Sequence, residues 1–453
     1  MPNINRPSIT LQTNGIDNRT INSGGYNAIP VISGTTTLTP NIILSNATIS
    51  ATNGTLALKG PNNWSDLNNI ELNNGTVDFA YTDTQAASQT YSGDASLCSL
   101  IGNFIPYTVG QIVSSLNQLQ PAQLKAFAVA QENNAVKVID SLGGRFQREL
   151  DSVHCMKGKE VEGKNKPCKL EAKPFHVWVN GMGDALHQSS TTYAGSPQFG
   201  YQENMGDVSA GMDYHFAKYL YIGALGAYTS SDLTWNDHQG TGDIQTGYAG
   251  PYLSCLGKMF YGNAAVIRGW SHYNAHRKIN LPFENLTAKS SHGGSQILSH
   301  LDTDINLGFC GFTIRPFDSF DYISQTENSF TEKGAGILNL SIEKSNPIML
   351  RNELGLNFAT CFCIKGSQWT ISPKISWVRE VRVKGDQMTA EFINTENPFT
   401  VTGYFPDRSL VSPGVSITGN MMHDLLTVGL YYNGEFKGTY SDHSYGGQIR
   451  FGF

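Results

Sequence analysis

The chain has 453 residues and a net charge of −6, from 31 Lys and Arg against 37 Asp and Glu, a balance that argues against a nucleic-acid binder. No run of about 18 apolar residues is present, which excludes a transmembrane helix. Charged residues make up only 15%, whereas Gly (47) and aromatics (11%) are plentiful; that usage favours strands and turns over helix bundles. Barrel strands give no long apolar run, so a membrane location stays open. The first twenty residues lack a basic stretch followed by an apolar core, so no secretory signal is legible; an exported chain would then be a fragment, the preferred reading, or have a misassigned start, and otherwise the chain is not exported. Seven Cys are scattered without zinc spacing. Cys155 and Cys168 flank a Lys-rich stretch and are a candidate pair in an oxidising compartment.

Residues 1–105 are rich in Asn, Thr, Gly, Ser and Ile. Short apolar pieces recur at Ile29–Ile32, Ile42–Leu44, Thr55–Leu58, Ile70–Leu72 and Val77–Phe79, separated by turns such as Asn53-Gly54 and Asn73-Asn-Gly75. Close, evenly spaced short strands predict rungs of a parallel β-helix. An ordinary small β domain or a polar unstructured segment is the plainer alternative.

Residues 106–173 change period. Ile112, Leu116, Leu119, Leu124, Phe127, Ala128, Val136, Ile139, Leu142 and Phe146 recur at spacings of three and four, and Pro121 is placed as a helix starter. The spacing predicts a helix, set between two β regions, that would thread a barrel pore; a packed connector helix is the plainer reading. Val153–Lys173 mixes Lys with Glu160, Glu162 and Glu171 and reads as a solvated loop.

From Pro174 to Phe453 apolar and polar residues alternate at period two. Val208, Ala210, Met212, Tyr214 and Phe216 oppose Ser209, Gly211, Asp213 and His215. Leu426, Val428, Leu430 and Tyr432 oppose Thr427, Gly429 and Asn433. Charges and glycines on one face, with aromatics closing the other, predict a wet lumen and a lipid-facing wall with an aromatic girdle. Trp369, Trp377, Tyr432 and Tyr445 read as interfacial anchors. Counting the alternating runs gives about twelve strands, an even number as single-chain bacterial barrels require; the third and seventh alternate poorly. Longer polar gaps are expected at 185–205, 230–243, 273–295, 325–346 and 384–408. The fold class is therefore all-β: a twelve-stranded antiparallel transmembrane β-barrel, an N-terminal pore helix, and a short parallel β-helix-like segment.

The final stretch, His443–Phe453, alternates to the last residue, and its Ile449, Phe451 and Phe453 share the apolar face. It resembles the terminal strand of bacterial outer-membrane proteins, in which a final Phe is part of the assembly signal. Further words resemble the autotransporter (type V secretion) family: Leu116-Asn-Gln-Leu-Gln-Pro-Ala-Gln-Leu124 at the helix opening, with Gln120 where the family has Ser or Thr; Val177-Trp178-Val179 with Gly181 and Gly183; and Gly211-Met-Asp-Tyr214 followed by Ile222-Gly223 through Tyr228. The resemblance spans roughly 110–453. It implies that 174–453 is the translocator barrel, 106–173 the linker helix and loop, and 1–105 the end of a passenger displayed at the cell surface. It implies partners as well: outer-membrane lipid, the barrel-assembly machinery, and host cell surfaces reached through the passenger. No cofactor is implied.

The pore helix would present Leu116, Leu119, Leu124, Phe127, Ile139 and Leu142. Gln131-Glu-Asn-Asn134 is similar to words at which some family members release the passenger by attack of an Asn side chain on its own carbonyl, with a lumen carboxylate such as Asp213 or Glu353 to orient it. The plainer reading makes Asn133 and Asn134 two polar helix positions. Cys361 and Cys363 lack the further ligands a metal needs. His272, His276, His292 and His300 fall around an expected loop and read as solvated. No phosphate loop, nucleophile elbow or His-Glu-x-x-His is present. An outer-membrane channel or adhesin without a secretion role, and a soluble secreted β protein, are the alternatives.

Overall fold

The computed structural model describes the short strands within residues 15–80, then 115–155 and 173–453 apart from 116–117, 120, 194–195, 199, 218, 258, 310–311, 365–366, 386, 394–397, 403–407 and 423–424; the strands before residue 81 and the helix beyond residue 143 are described by backbone alone. Leu116, Cys168 and most of the Lys-rich stretch lie outside the described residues.

In the N-terminal part the pairing is parallel. Gly15–Asp17, Gly34–Leu38, Gly54–Lys59 and Thr76–Ala80 form one ladder; Ile29–Val31, Ala47–Thr52 and Leu67–Asn73 form a second. Gly34 lies opposite Gly54 and Ile29 opposite Ile49, an offset of twenty positions, and Gly15 lies opposite Thr36 and Thr55 opposite Thr76, an offset of twenty-one.

A 3₁₀ turn, Pro121–Lys125, leads into helix α1, Ala126–Cys155. Twelve long antiparallel strands follow: β1 Phe175–Gln188, β2 Tyr201–Ala217, β3 Leu220–Trp235, β4 Gly240–Leu256, β5 Phe260–Asn280, β6 Asn285–Ile305, β7 Phe312–Glu327, β8 Ile348–Ile364, β9 Ser367–Lys384, β10 Arg408–Met421, β11 Leu426–Lys437 and β12 Tyr440–Gly452. Each pairs with the next, and β12 pairs with β1 from Tyr440↔Gln188 to Gly452↔His176. Phe453 and Phe175 exchange backbone hydrogen bonds of 2.8 and 3.4 Å at the seam. The sheet therefore closes with no free edge, as lipid demands, since an unpaired backbone group in hydrocarbon costs several kcal/mol, on the order of a lost hydrogen bond or more. Among the described residues no helix is long and apolar enough to cross a membrane; the strands do the crossing.

The two faces differ as the alternation predicts. Val208 is 60% exposed and Leu430 68%, whereas Trp178, Asn180 and Asp442 on the opposite face are fully buried. An exposed apolar wall that runs round the sheet is far larger than a soluble monomer tolerates, which removes the soluble reading. Gly211 makes room for the buried Trp178: a Cβ there would lie 2.6 Å from the indole ring.

Two of the expected long gaps are corrected. β3 and β4 are joined by Asn236–Gln239, and β5 and β6 by Leu281–Glu284. Strands here rise past the lipid into water, so their outward positions, such as Asp232, Thr234, Thr241, His272, His276 and Lys278, are polar and exposed and look like loop, while Leu233, Trp235, Tyr273 and Ile279 face inward. The rim that holds these hairpins also carries the long connections 189–200, 328–347 and 385–407. The opposite rim, where β1 begins and β12 ends, has short turns. From the two longest connections, Phe330–Thr331, Leu340–Ile342, Gln387–Phe392 and Phe399–Thr402 assemble a separate four-stranded sheet.

Overpacking beside Trp178 costs about 1–3 kcal/mol. Gly211→Leu is therefore expected to reduce the fraction of protein that migrates as a compact, heat-modifiable band in gels run without boiling. Gly206→Leu, on the open outer face with nothing within 4 Å, is expected to leave that fraction unchanged.

Candidate functional site: the plugged lumen

The first five turns of α1 are buried on all sides although they carry Gln131, Glu132, Asn133, Asn134, Lys137 and Ser141. A helix with polar groups on every face is stable in such a place only if the surrounding wall answers them. It answers all of these side chains, with one amide nitrogen left over. Gln131 donates to Tyr248 Oη (3.0 Å) and accepts from Thr246 Oγ1 (3.0 Å). Arg382 of β9 grips both carboxylate oxygens of Glu132. Asn133 Nδ2 donates to Asp184 Oδ2 (3.2 Å), and Ser231 Oγ donates to Asn134 Oδ1 (3.0 Å), while Asn134 Nδ2 is buried without a hydrogen-bond partner. Lys137 donates to Asp442 (2.6 Å) and Ser444 (2.7 Å) of β12 and lies 3.3 Å from Asp184 of β1. Ser209 Oγ donates to Ser141 Oγ (3.0 Å). Lys137 thus bridges the two strands that close the barrel, and a buried cation between two carboxylates satisfies groups that would otherwise be costly to desolvate.

The wall has its own ion-pair row. Arg351 of β8, Glu380 of β9 and Arg408 of β10 are direct cross-strand neighbours, with contacts of 2.8 and 2.7 Å. Arg351 also binds Glu435 of β11. Alternating signs across four strands keep the lumen side of the sheet charged yet locally neutral.

Apolar packing seals the rim with the long connections. Leu119, Leu124 and Phe127, together with Ala126, Val129 and Ala130, share one core with Leu233, Trp235, Tyr273 and Ile279 of the wall and with Leu338, Leu340, Ile342, Met388, Phe392 and Val401 of the capping sheet. Phe127 meets Trp235 and Tyr273 edge-on, both at 5.7 Å between centroids. Gly242 permits that approach, because a Cβ there would sit 2.5 Å from Phe127 Cζ. Arg277, fully buried, holds the cap down. It binds Glu332 with two contacts of 2.8 and 2.5 Å and donates to the carbonyls of Leu338 (3.0 Å) and Gln118 (3.1 Å). Lower in the lumen Ile139 and Leu142 pack against Trp178, Leu225, Tyr252 and Ile267.

The sequence candidates fall as follows. Leu119, Leu124, Phe127, Ile139 and Leu142 are buried inside the barrel. The carboxylate beside Asn133 is Asp184. Asp213 instead accepts from Tyr252 (2.9 Å) and faces His176 (3.1 Å), and Glu353 binds Lys374 (2.8 Å) and Ser376 (2.6 Å). The four His separate: His272 and His276 point outward from β5, whereas His292 and His300 point inward from β6 to Glu327 (2.8 Å) and Asp321 (2.6 Å). They lie on strands, which corrects the loop reading. Cys361 and Cys363 are both disulfide-bonded. Ile449, Phe451 and Phe453 lie on the exposed face at the short-turn rim. Sequence reasoning missed Lys137, Glu132, Arg382, Asp184, Asp442 and Arg277, whose partners are remote in sequence.

A closed twelve-stranded barrel with a lipid-facing wall and a helix wedged in its lumen defines an outer-membrane translocator. Residues 177–433 match the family described as Autotransporter beta-domain, more than half of the chain, and the chain belongs to that family. It is an autotransporter translocator of the outer membrane, with the passenger side at the cell surface. Among solved structures it is similar to the translocator domain of the autotransporter NalP from Neisseria meningitidis (14% identity, 74% of this chain and 100% of that one, TM-score 0.53). The β domain of the Bordetella autotransporter BrkA (14%, 62% and 100%, 0.48) and the transport unit of AIDA-I from Escherichia coli (10%, 68% and 98%, 0.43) are more distant. No curated protein sequence matches the chain.

Removing one partner of a buried ion pair costs about 3–5 kcal/mol because the other is left charged and alone. Arg277→Ala is expected to free 328–347 from the rim, read as rapid proteolytic nicking of that connection in intact outer membranes while the heat-modifiable band persists. Arg277→Lys is expected to rescue only in part, since one ammonium cannot span both Glu332 oxygens and two carbonyls.

Proposed function

We propose that α1 is the last part of the passenger connection, retained in the lumen after export, and that it closes the pore. The fit between the buried polar side chains of α1 and the barrel wall carries this reading. A channel open in its resting state would leave that wall hydrated and would give Lys137 and Glu132 no reason to be matched group for group. On this reading residues 1–105, whose described strands pair in parallel ladders at offsets of twenty or twenty-one, are the end of a passenger that reaches host surfaces. Its export precedes the seating of α1. Outward-facing Ile449, Phe451 and Phe453 on β12 then form the strand signal that the barrel-assembly machinery reads before β12 closes on β1.

Conductance tests the central part. In planar bilayers the chain from residue 110 onward is expected to be silent or to flicker, and the chain from residue 160 onward to give stable open-pore currents. Equal currents from both would overturn the plug reading and leave a plain channel.

For Asn133 and Asn134 we propose the plainer role. Asn133 Nδ2 is engaged by Asp184, Asn134 Oδ1 by Ser231, and the backbone through both is continuous helix, an arrangement suited to positioning. The intact mass of protein extracted from outer membranes is expected to be that of an uncut chain across 133–134. A fragment starting at Asn134, lost in Asn133→Ala, would assign self-cleavage instead.

A further inference from the structure

The outward face of β5 changes character around Trp270, on whose ring the exposed Arg268 sits at 5.9 Å. Val266 and Trp270 are each 54% exposed on the lipid side. Trp270 lies in one cross-strand row with Gly247 and Tyr228, an aromatic girdle at the edge of the hydrocarbon. Beyond it the same face presents His272, Asn274, His276 and Lys278. Register sets His276 directly beside Lys289 of β6. Lys289 in turn exchanges both backbone hydrogen bonds with Lys333 of the capping connection (2.7 and 2.8 Å). Directly opposed residues share a face with Cβ atoms about 4.5–5.5 Å apart, so His276, Lys289 and Lys333 form one outward row with Lys278 two positions along.

Like charges set opposite each other on a sheet are destabilising, and among the described residues no carboxylate forms a salt bridge with them; Asp232 lies beside Asp243 one strand further on, and Asp237 is exposed on the β3–β4 hairpin. Glu332, next to Lys333, points inward to Arg277. Asp243 is occupied by Asn274 Nδ2 (2.9 Å), and Glu284 sits exposed at the hairpin tip. The row is a basic strip on the side of the barrel, continuous with the lipid-facing wall. Height selects the anion. Six residues separate Trp270 from His276, so the row stands about 15 Å above the girdle at a rise of about 3.3 Å and a tilt of about 40°. The polar layer of a phospholipid leaflet is only about 5–8 Å deep. A phospholipid phosphate reaches His272 at most; phosphorylated sugars of a larger headgroup reach the lysines.

We propose that His272, His276, Lys278, Lys289 and Lys333 bind the phosphate groups of an outer-leaflet glycolipid whose phosphorylated saccharide rises above the acyl zone. This rests on the membrane orientation given above.

The test uses the full chain in detergent, titrated by calorimetry with lipopolysaccharide bearing a phosphorylated core, with the same glycolipid dephosphorylated, with phosphatidylglycerol in nanodiscs, and with inorganic phosphate. The expected result is binding of the phosphorylated glycolipid alone. The variant Lys289→Gln/Lys333→Gln is expected to bind it roughly thirty-fold more weakly, at the strength a surface cation contributes. Lys437→Gln, at the end of β11, is expected to bind as the parent does. Binding undiminished in the double variant, or equal binding of the dephosphorylated glycolipid, phosphatidylglycerol or free phosphate, would each overturn the proposal. A heat-modifiable band in every variant separates these failures from a failure to fold. A parent chain that is not heat-modifiable would instead sink the membrane reading on which the proposal stands.

Discussion

Closure of β12 onto β1 is the constraint from which the rest follows. In hydrocarbon a sheet survives only if every backbone donor and acceptor is paired, so the first and last strands must meet along their full length, as they do from Tyr440↔Gln188 to Gly452↔His176. Once the ring is shut, each residue faces either lipid or lumen, and the two solvents dictate opposite chemistry on alternate positions. The lumen of twelve strands is wide enough to admit one helix. A buried helix with Glu132, Lys137 and two Asn then requires a wall with Arg382, Asp184, Asp442 and Ser231 at matching heights. Lys137 links this chain of requirements to its origin, because its two carboxylates come one from each side of the seam.

Plug and wall differ in the kind of contact they make along the axis. Near the passenger end the contacts are apolar and aromatic, around Phe127, and the capping sheet completes them. Midway they are ion pairs and hydrogen bonds. Apolar packing excludes water and tolerates small shifts; charge-assisted bonds fix rotation and register. Together they hold one helix in one pose within the lumen.

The fold was legible because lipid and lumen impose period two, and it faded where that contrast weakens. On β3 small residues stand on both faces, Gly223 and Ala227 toward the lumen and Ala224 and Gly226 outward, so hydropathy hardly alternates. On β7 the outward face carries Asp318, held by Asn352 across the sheet at 2.6 Å. The hairpin at 236–239 was hidden because Asp232, Thr234 and Thr241 face water, not lipid, and that at 281–284 because His272, His276, Lys278 and Lys289 do. The plug's partners were not legible at all. Arg382 lies 250 positions from Glu132 and Asp442 lies 305 from Lys137, and only barrel geometry brings them together. The helix itself was plain from its three-and-four spacing, which records what it packs against near Phe127 and Ile139 but not what it bonds to between them.

The most direct test of a retained plug is a crosslink formed in place. Asn134 and Ser231 are in hydrogen-bond contact at 3.0 Å, one on the helix and one on the wall. With Asn134→Cys and Ser231→Cys introduced together, mild oxidation of intact outer membranes should join the two positions, identified by the mass of the linked peptides. Either substitution alone should give no such link. Heat-modifiable barrels from which the 134–231 link is absent would mean that the helix does not rest in the lumen, and the account of a sealed translocator would be wrong.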